Sequence, residues 1–158
     1  MANTASLCTS FLGEMLTATH NFGVAPTRAS TAADTFKAAL YLTTGSIDAS
    51  TTAYTATGEV TGTNYSAGGV TVTNATVPAS TNSSATAGVG YWTPSASITY
   101  TNVTLSTAFN AMLLYNSTQS NKAVGVYTFG SQTITAGTFA LTMPSNTTST
   151  ALLRISTT

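Results

Sequence analysis

Charged side chains are almost absent from this chain: four basic and four acidic residues, 5% of 158, stand beside one histidine and one cysteine. An ordinary soluble domain carries about 25% charged residues. Catalysis at neutral pH draws mostly on His, Asp, Glu, Lys and Cys, so little is left from which to build an active site. Threonine takes their place at more than a fifth of the residues, with alanine and serine next. β-Branched threonine fits the solvent face of a pleated sheet. The composition describes a packed β-protein that makes surfaces, not one that makes or breaks bonds.

Leu, Ile, Val and Phe together form only about a fifth of the chain, near the level at which disorder sets in. Disorder also requires high net charge and few aromatics. Here the net charge is zero, aromatics reach 9% and the mean hydropathy is +0.20. One folded domain is expected, with a core thin in large aliphatics and completed by Ala, Thr methyls and aromatic rings. A thin core leaves less stabilisation within one subunit, and near-zero net charge removes the repulsion that keeps proteins apart. Both point to a subunit of something larger. No apolar run approaches the roughly 18 residues that span a bilayer, and the start, Met1-Ala2-Asn3-Thr4-Ala5, lacks the basic residues of a secretory leader. Cys8 alone cannot close an intramolecular disulfide. Four cations give nucleic acid no electrostatic footprint. Neither a membrane nor a nucleic acid is expected as a partner.

Two regions differ in character. Over residues 4–17, Leu7, Phe11 and Met15, with Cys8, Leu12 and Leu16 one step along, form i, i+4, i+8 rows. That spacing predicts a short amphipathic helix, weakened by Gly13. Residues 1–34 then read as this helix and a connecting arm, and residues 35–158 as a β-sandwich domain. Apolar residues alternate in 35–42, at Val70 and Val72, at Ile98 and Tyr100, and at Phe139, Leu141 and Met143. Residues 108–115, 123–129 and 151–155 are apolar on both parities, which predicts strands covered on both faces. Punctuation at Gly58, Gly62, Gly68-Gly69, Asn102, Asn121, Gly130, Gly137 and Asn146 divides the chain into about eight short strands. The predicted fold is mainly β, an antiparallel β-sandwich or jelly roll with one short N-terminal helix. Residues 76–88, mostly Ser, Thr, Ala and Asn, read as a flexible surface loop.

Tests for chemistry fail on residue type. A Ser-His-Asp hydrolase would need His20 with Asp34 or Asp48, and no Gly-x-Ser-x-Gly elbow is present. His20 reads as a cap or hydrogen-bonded residue at the end of the predicted helix. Paired carboxylates for glycoside cleavage would have to come from Glu14, Asp34, Asp48 and Glu59. Asp48 and Glu59 flank one loop, but nothing in their spacing requires them to meet, and lone acids in Gly/Thr loops are usually turn-formers or solvated. Cys8 and His20 cannot supply a zinc site, and no phosphate-binding Gly-Lys loop occurs. No catalytic residue, cofactor or metal is therefore expected. Thr-x-Thr pairs start at 55, 61, 71, 99 and 133, without the fixed period that an ice-binding ladder needs. Tyr91, Trp92 and Tyr100 are the candidates for a sugar-stacking platform, against the commoner use of Trp in a core.

Several segments together carry a resemblance. Cys8-Thr9-Ser10-Phe11 leads to His20-Asn21-Phe22 and Thr35-Phe36-Lys37-Ala38-Ala39-Leu40-Tyr41-Leu42. Thr52-Ala53-Tyr54-Thr55-Ala56-Thr57-Gly58-Glu59-Val60-Thr61-Gly62-Thr63-Asn64-Tyr65 follows, then Ala67-Gly68-Gly69. Leu113-Leu114-Tyr115-Asn116, Ala123-Val124-Gly125-Val126, Thr138-Phe139-Ala140-Leu141-Thr142-Met143-Pro144 and Leu152-Leu153-Arg154-Ile155 complete the series. In this order, over nearly the whole chain, they resemble a group of small virion structural proteins of tailed bacteriophages. The family carries more charge just after the turn at Asn116 and near Gly130, where this chain has mostly Ser, Thr and Gln. The resemblance implies a non-enzymatic protein made in the host cytoplasm and located on the virion. The preferred assignment is a head decoration (cement) protein at the capsid surface, a homotrimer bound to the major capsid protein. Leu7, Phe11 and Met15 are the candidate partner contacts, together with the loop 76–88. The alternatives are a tail-associated or receptor- or glycan-binding module using Tyr91, Trp92 and Tyr100, a subunit of the tail or head–tail junction, and a small glycan-cleaving enzyme.

Overall fold

Two long antiparallel strands, β6 (Ile98–Asn116) and β7 (Lys122–Leu141), form the spine of the protein. The computed structural model describes residues 3–8, 11, 14–15, 18–23, 33–74, 76–81 and 88–156. Around the spine lie β1 (Ser6–Leu7), β2 (Phe36–Leu42) and β3 (Val70–Thr71), in a five-stranded sheet of order β1-β7-β6-β2-β3. A second sheet of order β4-β5-β8 is formed by β4 (Ala79–Ser80), β5 (Val89–Trp92) and β8 (Leu153–Ser156). All the strand pairs are antiparallel. The protein is mainly β, as the alternation predicts.

The sequence punctuation misleads about length. Asn102, Gly130 and Gly137 lie inside β6 and β7, so four expected short strands are two long ones. Asn102 adopts φ +53°, and the register shifts between Tyr100 and Val103. One extra residue there exchanges the parity of the strand. Ile98 and Tyr100 are buried before it, and Val103 and Leu105 after it, with Thr99 and Thr101 facing solvent. Ala136, at φ +45°, marks a similar irregularity in β7.

Near the turn the sheet is covered on both faces, as the double-parity apolar runs predict. Residues 111–116 and 123–126 are buried, and in β2 Ala38, Ala39, Leu40 and Tyr41 are wholly enclosed. The alternation expected in 35–42 therefore fails: Tyr41 points away from Leu40 but is covered by the chain that follows, where its hydroxyl donates to the Thr55 carbonyl. Residues 151–155 are not covered twice, because Arg154 and Ile155 of β8 are exposed.

The predicted N-terminal helix does not span residues 4–17. Ser6 and Leu7 pair with Val126 and Gly125 as β1. Beyond them only Phe11, Glu14 and Met15 have described helical backbone; Thr9, Ser10, Leu12, Gly13, Leu16 and Thr17 lie outside the described residues. No helix stands as an element among those described. The 76–88 stretch, expected to be all loop, contributes β4, and its residues 82–87 lie outside the described residues.

The core is aromatic where aliphatics are scarce. Phe22 stacks on Phe36 at 4.4 Å between ring centroids and lies 4.8 Å from Trp92. Trp92 of β5 also meets Phe36 of β2 at 5.9 Å, which joins the two sheets. Phe109 meets Phe139 edge-on at 5.1 Å. Wholly buried alanines at 38, 39, 111 and 123 let neighbouring layers approach. Described residues from the first 34 pack into this same core, among them Cys8, Phe11 and Phe22.

One close approach requires glycine. Gly69 has φ +70°, and a Cβ there would overlap the Ala38 carbonyl oxygen. Gly69→Ala is expected to cost about 2–5 kcal/mol, from left-handed strain and overpacking together. Gly90→Ala is the control, since its Cβ would meet nothing closer than the Ile155 carbonyl oxygen at 3.9 Å, and it should cost no more than about 1 kcal/mol. Urea denaturation of the two variants measures both; equal losses would refute the overlap.

Candidate functional site

Four of the chain's charged residues and its histidine are gathered into two polar clusters. The first lies where the N-terminal segment meets the β6–β7 turn. Asn116, the last residue of β6, has no exposed surface. Its Oδ1 accepts the backbone N–H groups of Thr118 (3.1 Å) and Gln119 (3.2 Å). Its Nδ2 donates to Asp34 Oδ2 at 2.7 Å and lies 3.1 Å from His20 Nδ1. His20 Nε2 is 2.7 Å from Glu14 Oε2, and Lys122 Nζ donates to Glu14 Oε1 at 2.6 Å. Asp34 also accepts from the Asn21 backbone N–H at 2.8 Å.

Electrostatics follow from this geometry. Burial holds the His20 pKa below its ordinary 6.5, although the Glu14 and Asp34 charges act the other way. Burial alone would raise Glu14, but the hydrogen bonds from Lys122 and His20 and the Lys122 charge outweigh it and leave the carboxyl below its usual value. The arrangement is therefore a neutral imidazole donating to a carboxylate. Serine, the third member of a hydrolytic triad, makes none of the hydrogen bonds described for His20.

The second cluster centres on Glu59, which is buried and, among the described residues, has no cation at hydrogen-bonding distance. It accepts from the hydroxyls of Tyr54 (2.6 Å) and Tyr65 (2.7 Å) and from the Gly68 backbone N–H (2.8 Å). The Tyr65 hydroxyl in turn accepts the Leu40 N–H at 3.0 Å. Tyr115 donates to the Gly68 carbonyl and Tyr100 to the Ala38 carbonyl. These bonds fasten the chain between β2 and β3 onto the large sheet. Asp48, the proposed second carboxylate of a glycosidase pair, is taken up in its own turn, where Oδ1 accepts from the Ser50 N–H and hydroxyl. Among the described residues no group of three His, Cys, Asp or Glu is placed to hold a metal ion.

The candidate contact residues separate. Leu7 is half-buried on β1, Phe11 is enclosed with its ring 4.9 Å from His20, and Met15 is 37% exposed. The aromatic candidates separate as well. Trp92 is 1% exposed, and its Nε1 donates to Asn74 Oδ1 and the Thr76 carbonyl, both at 3.1 Å. Tyr100 is 2% exposed and stacks on Tyr65 at 5.9 Å; only Tyr91 retains partial exposure. Sequence reasoning read His20 as a cap or a hydrogen-bonded residue, of which the structure shows the second, but missed that both clusters exist. Their signal was scarcity itself: in a chain with so few ionisable groups, each buried one needs a dedicated set of partners.

Comparison with protein-family models, with curated proteins and with solved structures gave no match.

Tyr65→Phe should cost about 1–3 kcal/mol, because it strands the Leu40 N–H in the interior; chemical denaturation measures it. Burial, followed for Tyr54 by its hydrogen bond to Glu59, pushes the Tyr54 phenol up to about 12. Burial, with the Glu59 charge adding, also raises Tyr41, Tyr65, Tyr100 and Tyr115. Stability tied to these groups is complete below the ordinary value of 10 and declines above it, because the unfolded chain loses those protons first. Phenolate absorbance followed beside circular dichroism from pH 9 upward should show these tyrosines ionising together with unfolding. A tyrosinate rise complete before any structural change would refute the burial.

Proposed function

We propose that this chain is a non-enzymatic structural subunit of a virion, a head decoration (cement) protein that binds the assembled capsid. The observation that carries this reading is the ordered sequence resemblance to small virion proteins of tailed bacteriophages, from Cys8 to Ile155. The geometry supports it in two ways. Glu14, His20, Asp34 and Glu59 are committed to internal hydrogen bonds that fasten one part of the fold to another. The greater part of β7, from Thr128 to Leu141, is exposed at most positions and carries no charge. A surface of this kind meets a partner with little desolvation of charge. In the finer fold reading, the contact of the two sheets through Trp92 and Phe36 is a sandwich-like, jelly-roll-related packing capped by a short N-terminal helix.

The mechanism is mass action. A copy that binds the assembled shell and not free shell subunits stabilises the assembled state by its binding free energy. A homotrimer would hold three such contacts at once and gain from their combined effective concentration. Met15, the exposed one of Leu7, Phe11 and Met15, and Val77 of the 76–88 stretch are available to a partner without rearrangement. The glycan-binding alternative needs an exposed aromatic platform, and the burial of Trp92 and Tyr100 gives it no support.

Quantitative mass spectrometry of purified virions, with the major capsid protein as the standard, tests the proposal. Hundreds of copies in a fixed ratio to the shell protein are expected of a lattice-wide subunit. A count of about a dozen or fewer would overturn the decoration role in favour of tail or head–tail hardware.

A further inference from the structure

The only histidine of the chain is held in one protonation state by a neighbour that cannot turn over. Asn116 Oδ1 accepts two backbone N–H groups, and Nδ2 donates to the Asp34 carboxylate. Backbone N–H groups only donate and a carboxylate only accepts, so flipping the amide would break all three bonds. The same Nδ2 faces His20 Nδ1 at 3.1 Å. Nδ1 must therefore accept, which leaves the ring proton on Nε2, 2.7 Å from Glu14 Oε2. A second proton would have to sit on Nδ1, pointing at an N–H group.

Among the described residues the surroundings offer the cation no other outlet. Phe11 packs edge-on at 4.9 Å, and Phe22 and Phe36 lie at 6.1 and 6.4 Å. Among the described residues the charged groups acting on the ring are Glu14 and Asp34, which favour the imidazolium, and Lys122, which opposes it. Burial outweighs the two carboxylates.

We propose that His20 is an acid-sensitive latch, whose protonation releases Glu14, His20, Asn21 and Asp34 from the β6–β7 turn while the large sheet stays paired. The sheet does not depend on the histidine: β2 pairs with β6 along its whole length, and Ser117 N–H donates to the Thr35 carbonyl independently. A released His20 titrates near its ordinary 6.5, above the value of the latched ring. The released form therefore takes up protons first as the pH falls, and the latch weakens below 6.5 but is unaffected above it. Glu14 adds a loss of the same sign only below its own ordinary 4.5, so the histidine step is separable. The latch stands on the monomer's geometry and does not depend on the capsid role.

Amide hydrogen exchange followed by NMR at pH 7.5 and 5.0, corrected for intrinsic rates, tests it. The Thr19, Asn21 and Asp34 amides, bonded to the Glu14 carbonyl, the Asp34 carboxylate and the Asn21 carbonyl, should lose tenfold or more protection at pH 5.0. Amides of the central β6–β7 pairs should lose none. Imidazole 15N shifts should report the Nε2–H tautomer and a midpoint below 6.5. Equal protection at both pH values, an Nδ1–H tautomer, or a midpoint at or above 6.5 would overturn the proposal. His20→Gln cannot titrate and should make protection independent of pH; pH dependence that survives it would also overturn the latch. Should that variant fail to fold, the wild-type imidazole titration decides alone.

Discussion

The pairing of β6 with β7 is the interaction on which everything else is built. It supplies the two edges to which β2 and β1 attach, and its turn receives the N-terminal segment. The side-chain period along a strand is two, and the buried residues of β6 change parity near Asn102, so the buried face stays continuous only because extra residues correct the parity along the way. The left-handed residues Asn102 and Ala136 make these corrections. Without the extra residue near Asn102, Val103 and Leu105 would share a face with solvent-exposed Thr99 and Thr101. The bulges are thus what allow a threonine-rich hairpin to be half core and half surface.

A second constraint follows from the scarcity of charge. The chain between β2 and β3 has little regular structure, being tied down by isolated bridges such as Tyr41 to Glu59, so its backbone groups need other partners. Tyrosine supplies them, because its ring contributes to the core while its hydroxyl reaches a polar group at the far end. Tyr41, Tyr65, Tyr100 and Tyr115 all bond to backbone in this way. Glu59 completes the set as a pure acceptor, able to take three donors at once. Three donors so placed satisfy both oxygens of the buried side chain, which suits a chain with few cations to spare.

The sequence was informative where periodicity decides structure and silent where tertiary partners do. Apolar runs located β2 and the covered halves of β6 and β7, although alternation predicted one buried face for β2 where the structure covers both. The same reasoning misjudged Asn102, Gly130 and Gly137, because a bulge and a turn use the same residues and differ only in whether pairing resumes beyond them. The apolar i, i+4 rows around Phe11 did not reveal that Leu7 belongs to an edge strand, a placement that depends on Val126 and Gly125 more than a hundred residues away. From the sequence Trp92 fits either a core position or a sugar platform, and only its tilted packing against Phe22 and Phe36 decides for the core. The His20 cluster was illegible for the same reason: its members come from positions 14, 20, 34, 116 and 122, and nothing local announces that they converge.

The placement of charge connects the fold with the proposed assembly role. A protein that must associate through many copies needs a surface without strong self-repulsion and without charges that would have to be stripped of water on contact. One route is to pair every charge across an interface, which demands a specific partner geometry at each pair. Here Glu14, Asp34 and Glu59 do structural work inside one subunit, and exposed strand positions such as Thr133, Thr135 and Thr138 are left to hydroxyls. Hydroxyls donate and accept alike, so they tolerate small differences between neighbouring contacts better than a fixed ion pair does. On the proposed reading, the scarcity of charge is the property that would fit the surface to repeated contact.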